Sequence, residues 1–142
     1  MSIWKHDPVL EVLNKQNKNT LCEQLGMEFT EIGEDYLKAR MPVDGRTRQP
    51  LGLLHGGASV ALAETLGSCA AALCIDLMSQ QPVGLEINAN HIRAVRDGYV
   101  EGVARPLHIG RSTHVWEIKI HNQEDKLVCV SRITMAIIDR RK

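Results

Sequence analysis

One long, alanine-rich apolar segment constrains this chain more than any other feature of its sequence. It runs from about Gly57 to about Met78, and between Gly57 and Ser68 its only charged residue is Glu64. The segment carries acids and hydroxyls and is richer in alanine than in leucine, so it predicts a buried helix of a globular domain and not a membrane span. A buried carboxylate is costly as an anion unless something compensates it. Glu64 is therefore either a paired structural acid or a working one.

Length and composition exclude several classes of function. The 142 residues suit one domain, residues 1–142, with a frayed tail at 139–142. Seventeen basic residues balance seventeen acidic ones, which argues against nucleic acid or an anionic membrane as the main partner. The N-terminus lacks the apolar region of a signal peptide, and cysteines without close pairing indicate a reducing compartment, so we expect a cytoplasmic protein without a zinc site or disulfides. The cysteines are Cys22, Cys69, Cys74 and Cys129.

The remaining segments predict a helix, a hairpin and a meander of strands around the long helix. Asp7 is the expected N-cap of a short helix that begins at Pro8. A polar loop over Pro42–Pro50 leads into the long helix, and Pro82 is expected to prevent its continuation. The class is α+β, with an antiparallel sheet wrapped around one helix. The predicted strands are Met27–Thr30, Tyr36–Met41, Val83–Arg93, Tyr99–Arg105, Thr113–His121 and Lys126–Ile138, with a turn at Pro106–Arg111.

The long helix is too apolar to leave one face in water. A single sheet covers only one side of it, so its other side must meet something else. We infer a homodimer from this requirement.

Several groups near Glu64 form a candidate site. Glu64 and Ser68 lie four residues apart, so a helix presents both on one face. Gly56 and Gly57 begin the helix, where unpaired backbone N–H groups and the helix dipole favour a carbonyl oxygen or an anion. His55 precedes them and can donate a hydrogen bond to a carbonyl or a leaving group. In the loop, Gln49 offers an uncharged amide donor.

Each of these features has a structural explanation when it is taken alone. His55 suits a structural loop histidine, Gly56-Gly57 suits a helix start, and Glu64 suits a core acid paired with an arginine. Together they favour a functional site. The rise from Gly56 to Glu64 is roughly 12 Å, too far for both to act on one carbonyl within one chain. Either Glu64 works with groups of another subunit, or the helix start is not the donor.

The motifs that surround these residues resemble the hotdog-fold acyl-CoA thioesterases, in particular the aryl-CoA subgroup with its acid on the central helix. The branches of closest pattern act on 1,4-dihydroxy-2-naphthoyl-CoA in menaquinone synthesis or proofread enterobactin synthesis. The resemblance covers nearly the whole chain. It is carried by Ile3–Lys5, Met41–Asp44, Arg46-Thr47, Gln49-Pro50, Gly52–Ser59, Ala63-Glu64, Val83–His91 and Pro106–Arg111.

The resemblance implies a role for each matching residue. Glu64 would be nucleophile or general base, Gly56 N–H would polarise the thioester carbonyl, and Ser68 would place the water. Gln49 and His55 would come from the opposite subunit. The family forms dimers that pair into tetramers, and its reaction requires no metal or cofactor beyond the coenzyme A of the substrate. The coenzyme A path would be lined by Gly84, His91, Ile92, Arg93, His108, Ile109, Gly110 and Arg111.

Three functions therefore stand at this point. The first is hydrolysis of an aromatic or medium-chain acyl-CoA, with proofreading of acyl or aryl carrier proteins as its variant. The second is a non-catalytic module that binds acyl-CoA. The third, hydration of an enoyl thioester, would need an Asp/His pair for which the sequence offers no convincing candidate.

Overall fold

The structure, a computed structural model, describes residues 1–140. Nine elements follow one another along the chain: α1 (Leu10–Lys15), α2 (Leu21–Gln24), β1 (Glu28–Ile32), β2 (Leu37–Pro42), α3 (Gly56–Leu73), β3 (Gln80–His91), β4 (Tyr99–Ile109), β5 (Thr113–His121) and β6 (Leu127–Asp139).

The six strands form one antiparallel sheet in the order β1-β2-β4-β5-β6-β3. Helix α3 packs across one face of this sheet and contacts β2, β3, β4, β5 and β6. The predicted class, an antiparallel sheet around one long helix, is therefore confirmed. The core lies between helix and sheet and contains, from α3, Leu62, Ala63, Leu66 and Ala70 and, from β5, Trp116, Ile118 and Ile120.

Strand β5 has the boundaries that its alternating pattern predicts. His114, Trp116, Ile118 and Ile120 are all buried, because successive side chains of a strand point to opposite faces. The ring of Trp116 stacks on that of Trp4, with centroids 6.3 Å apart and planes 2° from parallel. This stacking holds the N-terminal segment against the core.

A row of small residues lets the sheet approach α3 closely. Ala63, Gly67 and Ala71 are buried on the helix face that meets the sheet. A Cβ atom at Gly67 would lie 2.5 Å from Cγ2 of Ile133 on β6, well inside van der Waals contact. The absence of a side chain at this position is therefore what sets the distance between helix and β6.

The predicted helix end at Met78 is wrong, because α3 ends at Leu73 with Cys74 as its C-cap. A turn held by Asp76 follows: its carboxylate accepts from the Met78 N–H at 3.0 Å, and its carbonyl accepts from the Gln80 N–H at 2.8 Å. Asx turns of this kind compete with helix. Pro82 does not stop the helix but lies in β3, at the sheet edge where proline is tolerated.

The predicted meander is also wrong in one step. Strand β3 pairs with β6 and not with β4. The segment that follows β3 crosses the start of α3 before β4 begins. That crossing is fixed by the Leu54 N–H to Val95 O bond and the Val43 N–H to Gly98 O bond, both 2.8 Å. Strand β4 extends to Ile109, so the predicted turn at Pro106–Arg111 begins too early. The strand accommodates Pro106 through a bulge between Pro106 and His108.

The chain termini differ from the prediction too. Val9, and not Asp7, is the N-cap of α1, and it makes no side-chain cap bond. Asn14 instead ties α1 to β1, since its side chain exchanges hydrogen bonds with the Phe29 backbone at 2.8 and 3.0 Å. Of the tail expected to fray, Asp139 ends β6 and Arg140 N–H donates to Ser79 O at 2.9 Å. Residues 141–142 lie outside the described residues.

Helix α3 is long and apolar enough, by length and composition, to cross a membrane. The core helix of a soluble protein passes the same test. Here one whole face of α3 is buried against the sheet, and the feature is accounted for by that packing.

We predict that Gly67→Ala destabilises the fold. Overpacking against Ile133 costs about 1–3 kcal/mol, and the better helix propensity of alanine returns about 1 kcal/mol. Because Cγ2 of Ile133 is attached directly to its β-carbon and cannot swing aside, we expect the overpacking term to outweigh the propensity term. The expected net loss in the free energy of unfolding, measured by urea titration, is up to about 2 kcal/mol. Gly45→Ala is the matched control, because nothing lies within 4 Å of a Cβ there. Equal stability of the two variants would contradict the close approach of helix and β6.

Candidate functional site

Helix α3 leaves one face open, and Glu64 is at its centre. Periodicity turns Leu62, Ala63 and Leu66 toward the sheet and leaves Glu64 exposed in the single chain. The desolvation expected of this carboxylate is thus not provided by its own chain. A groove of about 530 Å³ runs along this face, lined by Leu21, Gly57, Val60, Ala61, Glu64, Thr65 and Ser68.

Apart from Glu64 and Ser68, the lining of this groove is mainly apolar. Leu21, on α2, is 62% exposed and forms the wall opposite α3. The Thr65 hydroxyl donates to Ala61 O at 2.7 Å and lies 3.6 Å from Sγ of Cys22, so its polar atom is already engaged. The groove therefore suits an apolar group placed beside one carboxylate.

Strand β3 brings Gly84 against the carboxylate. A Cβ atom at Gly84 would lie 2.7 Å from Oε2 of Glu64 and 4.0 Å from Sδ of Met135. The Ser68 hydroxyl in turn lies 3.9 Å from the same sulfur. Glu64, Ser68, Gly84 and Met135 thus form one cluster, which we call the acid cluster.

The start of α3 presents one free backbone donor. His55 is the N-cap, and its Nδ1 accepts from the Gly57 N–H at 2.7 Å. The His55 carbonyl accepts from the N–H groups of Ala58 and Ser59 at 3.0 and 3.2 Å. Within residues 1–140 the Gly56 N–H has no acceptor. Since Nδ1 of His55 accepts, the ring proton sits on Nε2, and this N–H can donate to a ligand.

Gln49 shares a second hollow with the helix start. Its side-chain oxygen accepts from the Leu51 N–H, which leaves the amide NH₂ available as a donor. The hollow measures about 340 Å³, and the imidazole of His91 lies over Gly56, with Nε2 2.9 Å from a Cβ built there. We call this the donor cluster. It brings together Gln49, Gly56, His91, Ile92 and Arg93.

The remaining predicted residues lie elsewhere. His108, Ile109, Gly110 and Arg111 form the exposed tip between β4 and β5, closed by the Gly110 N–H to Thr113 O bond of 2.9 Å. Thr113 pairs with Ala136 and His91 with Cys129, so the two segments are separated by about 23 Å along β6. One chain does not bring the two parts of the expected coenzyme A path together.

Sequence reasoning missed two residues of the acid side. Leu21 lies on α2, which was not predicted because four residues carry no readable periodicity. Met135 lies in β6, whose apolar run has no feature that marks one residue from its neighbours. The alternation of buried residues along β6 could have identified Met135 as a residue that faces α3. It could not have predicted that Met135 lies beside Ser68.

The thiols and potential metal ligands add no further site within residues 1–140. All four cysteines are free, and burial raises the pKa of Cys69 to about 12 and that of Cys74 to about 11. Within the same range no group of three His, Cys, Asp or Glu side chains could hold a metal ion.

Comparison with known proteins agrees with this geometry. The sequence model of the thioesterase superfamily matches residues 51–129. The 1,4-dihydroxy-2-naphthoyl-CoA hydrolase of Escherichia coli (strain K12) is 52% identical, over 96% of this chain and 99% of that protein. The proofreading thioesterase EntH of Cronobacter turicensis is also 52% identical, over 96% of this chain and 98% of that protein.

A solved structure gives the same result. The crystal structure of a mutant thioesterase from Pseudomonas aeruginosa is 50% identical, covers 98% of this chain and 100% of that chain, and superposes with a TM-score of 0.97. The predicted resemblance is confirmed: the chain belongs to the thioesterase superfamily and is a thioester hydrolase with the hotdog fold.

Proposed function

We propose that this protein hydrolyses an acyl-CoA with an aromatic or medium-chain acyl group, using Glu64 as its catalytic carboxylate. The observation that carries the proposal is the position of Glu64, the one charged group in a mainly apolar groove. An apolar acyl group fits such a lining, and the carboxylate stands where its thioester carbon would come. The relative named for 1,4-dihydroxy-2-naphthoyl-CoA supports an aromatic acyl group. We also propose a place in menaquinone biosynthesis, which the sequence resemblance implies.

The reaction needs an attacking oxygen and a polarised carbonyl. Glu64 either attacks the thioester carbon or takes a proton from a water that Ser68 places. If Glu64 attacks, its oxygen forms the new C–O bond, the C–S bond breaks, and water then hydrolyses the resulting mixed anhydride to the free acid and the Glu64 carboxylate. If Glu64 acts as base, the water oxygen forms the C–O bond as the C–S bond breaks, and the acid is released directly. In both routes the sulfur leaves as the thiolate of coenzyme A. A thiolate is a good leaving group, so no strong general acid is required, and the residues present need neither a metal nor a further cofactor.

The donors for the carbonyl come from a second subunit in this proposal. Gly56 N–H is the unoccupied donor, Gln49 contributes its amide, and His55 contributes Nε2–H at the carbonyl or thiolate end. Two features support a homodimer as the working form. The groove face of α3 is uncovered, and the twelve residues of β3 form an open sheet edge, where unpaired backbone groups invite pairing.

In this proposal the coenzyme A moiety lies along two segments, His91–Arg93 and His108–Arg111, and passes Gly84. Arg93 and Arg111 supply the charge that a 3′-phosphate and a pyrophosphate need. In this proposal two chains together form the path that includes His91–Arg93, His108–Arg111 and Gly84, because one chain holds the first two segments about 23 Å apart. We further propose that dimers pair into a homotetramer and that the protein acts in the cytoplasm, on a small-molecule thioester and not on nucleic acid or a membrane.

A second candidate substrate is a thioester on a carrier protein. The relative named as a proofreading thioesterase supports it. Both substrates present the same phosphopantetheine thioester to Glu64, so they differ only beyond the pantetheine arm. A panel of kcat/KM values for aryl-CoA and aryl-carrier thioesters distinguishes the two.

Glu64→Ala tests the catalytic carboxylate. We expect a loss of at least ~10³ in kcat/KM with an aryl-CoA, measured by thiol release, because the described lining of the groove holds no second carboxylate to attack the thioester or to activate water. Glu124→Ala, on the turn between β5 and β6, is the matched control and should retain wild-type turnover. Turnover of Glu64→Ala within a few-fold of wild type would overturn the assignment. A wild-type protein that binds acyl-CoA without releasing thiol would instead be a binding module.

Mixing inactive variants tests the shared site. Glu64→Ala and Gln49→Ala chains are each expected to be impaired alone. In a mixed two-fold dimer one site regains both groups, so random mixing should restore about a quarter of wild-type activity. No restoration in a mixture shown to exchange subunits would place Glu64 and Gln49 in one chain.

Leu21→Ala tests the acyl end of the groove. Removing this wall should lower kcat/KM for benzoyl-CoA by about 10-fold, the effect of a lost apolar contact. Acetyl-CoA is too short to reach α2, and its turnover should be unaffected. Val12→Ala on α1 is the control, since Val12 is similarly exposed and lies outside the groove. An equal loss with both substrates would contradict the placement of the acyl group.

A further inference from the structure

Gly84 occupies an unusual position in β3. It lies at a register shift between Gly84 and Glu86, where β3 pairs with β6, and opposite Met135. Bulges of this kind re-aim backbone and side chains and are frequent beside active sites. The strand is at the edge of the sheet, so the bulge disturbs only the ladder with β6.

Backbone conformation does not explain why a glycine stands here. The glycines with positive φ are Gly26, Gly52 and Gly98, and Gly84 is not among them. A glycine within a strand weakens it, and a common reason for its presence is the close approach of another group. At Gly84 that group is the carboxylate of Glu64, whose Oε2 would be 2.7 Å from a Cβ atom.

We propose that Gly84 is a positioning residue, which keeps free the volume that the catalytic carboxylate of Glu64 occupies. This inference rests on the proposed function. Within residues 1–140 Glu64 has neither a hydrogen bond nor an ion pair that would fix its carboxylate. Steric contact therefore limits its position, and the close approach that the structure shows is the one to Gly84.

The consequence of a side chain at Gly84 is functional and not structural. The atom that a methyl group would meet is the end of a flexible, exposed side chain, so Glu64 can swing away and the fold tolerates the change. The displaced carboxylate no longer faces the thioester carbon in the same geometry. A misplacement of about 1 Å can reduce catalysis by ~10²-fold.

Gly84→Ala is the test variant, assayed with benzoyl-CoA. We expect kcat to fall by about 10- to 100-fold, with KM within about threefold and an unchanged midpoint of thermal unfolding. Gly45→Ala, whose Cβ would meet nothing within 4 Å, is the matched glycine control and should behave as wild type. A rise in KM with unchanged kcat would leave Gly84 only its proposed place on the coenzyme A path, with no role in positioning Glu64, and would overturn the inference.

Glu64→Asp provides the second arm. Aspartate is shorter by one methylene, so its carboxylate no longer reaches a methyl group at position 84. In this background Gly84→Ala should therefore have an effect of less than about threefold, and the two substitutions should be non-additive. Equal fold-losses in the two backgrounds would indicate a general structural effect and would also overturn the inference.

The ¹³C signal of the Glu64 carboxyl separates this inference from the proposed function. If Glu64→Ala retains turnover, the proposed function fails, and the positioning of the carboxylate is still judged by that signal. We expect Gly84→Ala to change the chemical shift of this carboxyl carbon, and Gly45→Ala, the control, to leave it unchanged. An unchanged signal would overturn the role of Gly84 whatever the activity assays give.

Discussion

The packing of one helix face against the sheet is the interaction on which the rest of this structure depends. Ala63, Gly67 and Ala71 have no bulk, so β6 approaches α3 until Ile133 touches the helix backbone at Gly67. This contact fixes the rotation of α3 about its axis. The rotation in turn decides that Glu64 and Ser68 lie beside the packed face, next to Gly84 and Met135, and line the groove. A bulkier side chain at Gly67 would therefore disturb not only the core but the direction in which the acid faces.

The elements that could be predicted are those in which the alternation of apolar and polar residues in the sequence matches the alternation of buried and exposed side chains in the structure. β5 is such a strand, because every second residue from His114 to Ile120 is buried. Prediction failed where local polar chemistry overrode the pattern. Asp76 ends the helical segment by binding the backbone that follows, and the bulge at Pro106 lets β4 continue through a proline. The pairing of β3 with β6 rests on a long-range ladder, from Gln80 opposite Asp139 to His91 opposite Cys129, that no local pattern reveals.

The candidate site divides in the same way. Helical periodicity alone places Glu64 and Ser68 together, and chain adjacency alone places His55 and Gly56 at the helix start. Neither helical periodicity nor chain adjacency predicts that Gly84 lies against Glu64, because that contact depends on the register between β3 and β6 and on one bulge. The contact of His91 with Gly56 likewise depends on where β3 ends. Tertiary pairing, and not residue type, decides the membership of both clusters.

The spacing of the two clusters along α3 has a consequence for an assembled pair of subunits. In each subunit, α3 carries Glu64 near its middle and the Gly56 N–H donor at its start. The two are joined by a rigid helical segment of roughly 12 Å. In a two-fold dimer, the two α3 helices would together form both active sites. A shift of one helix along its axis would then change the position of Glu64 in one site and, at the same time, the position of the Gly56 N–H in the other.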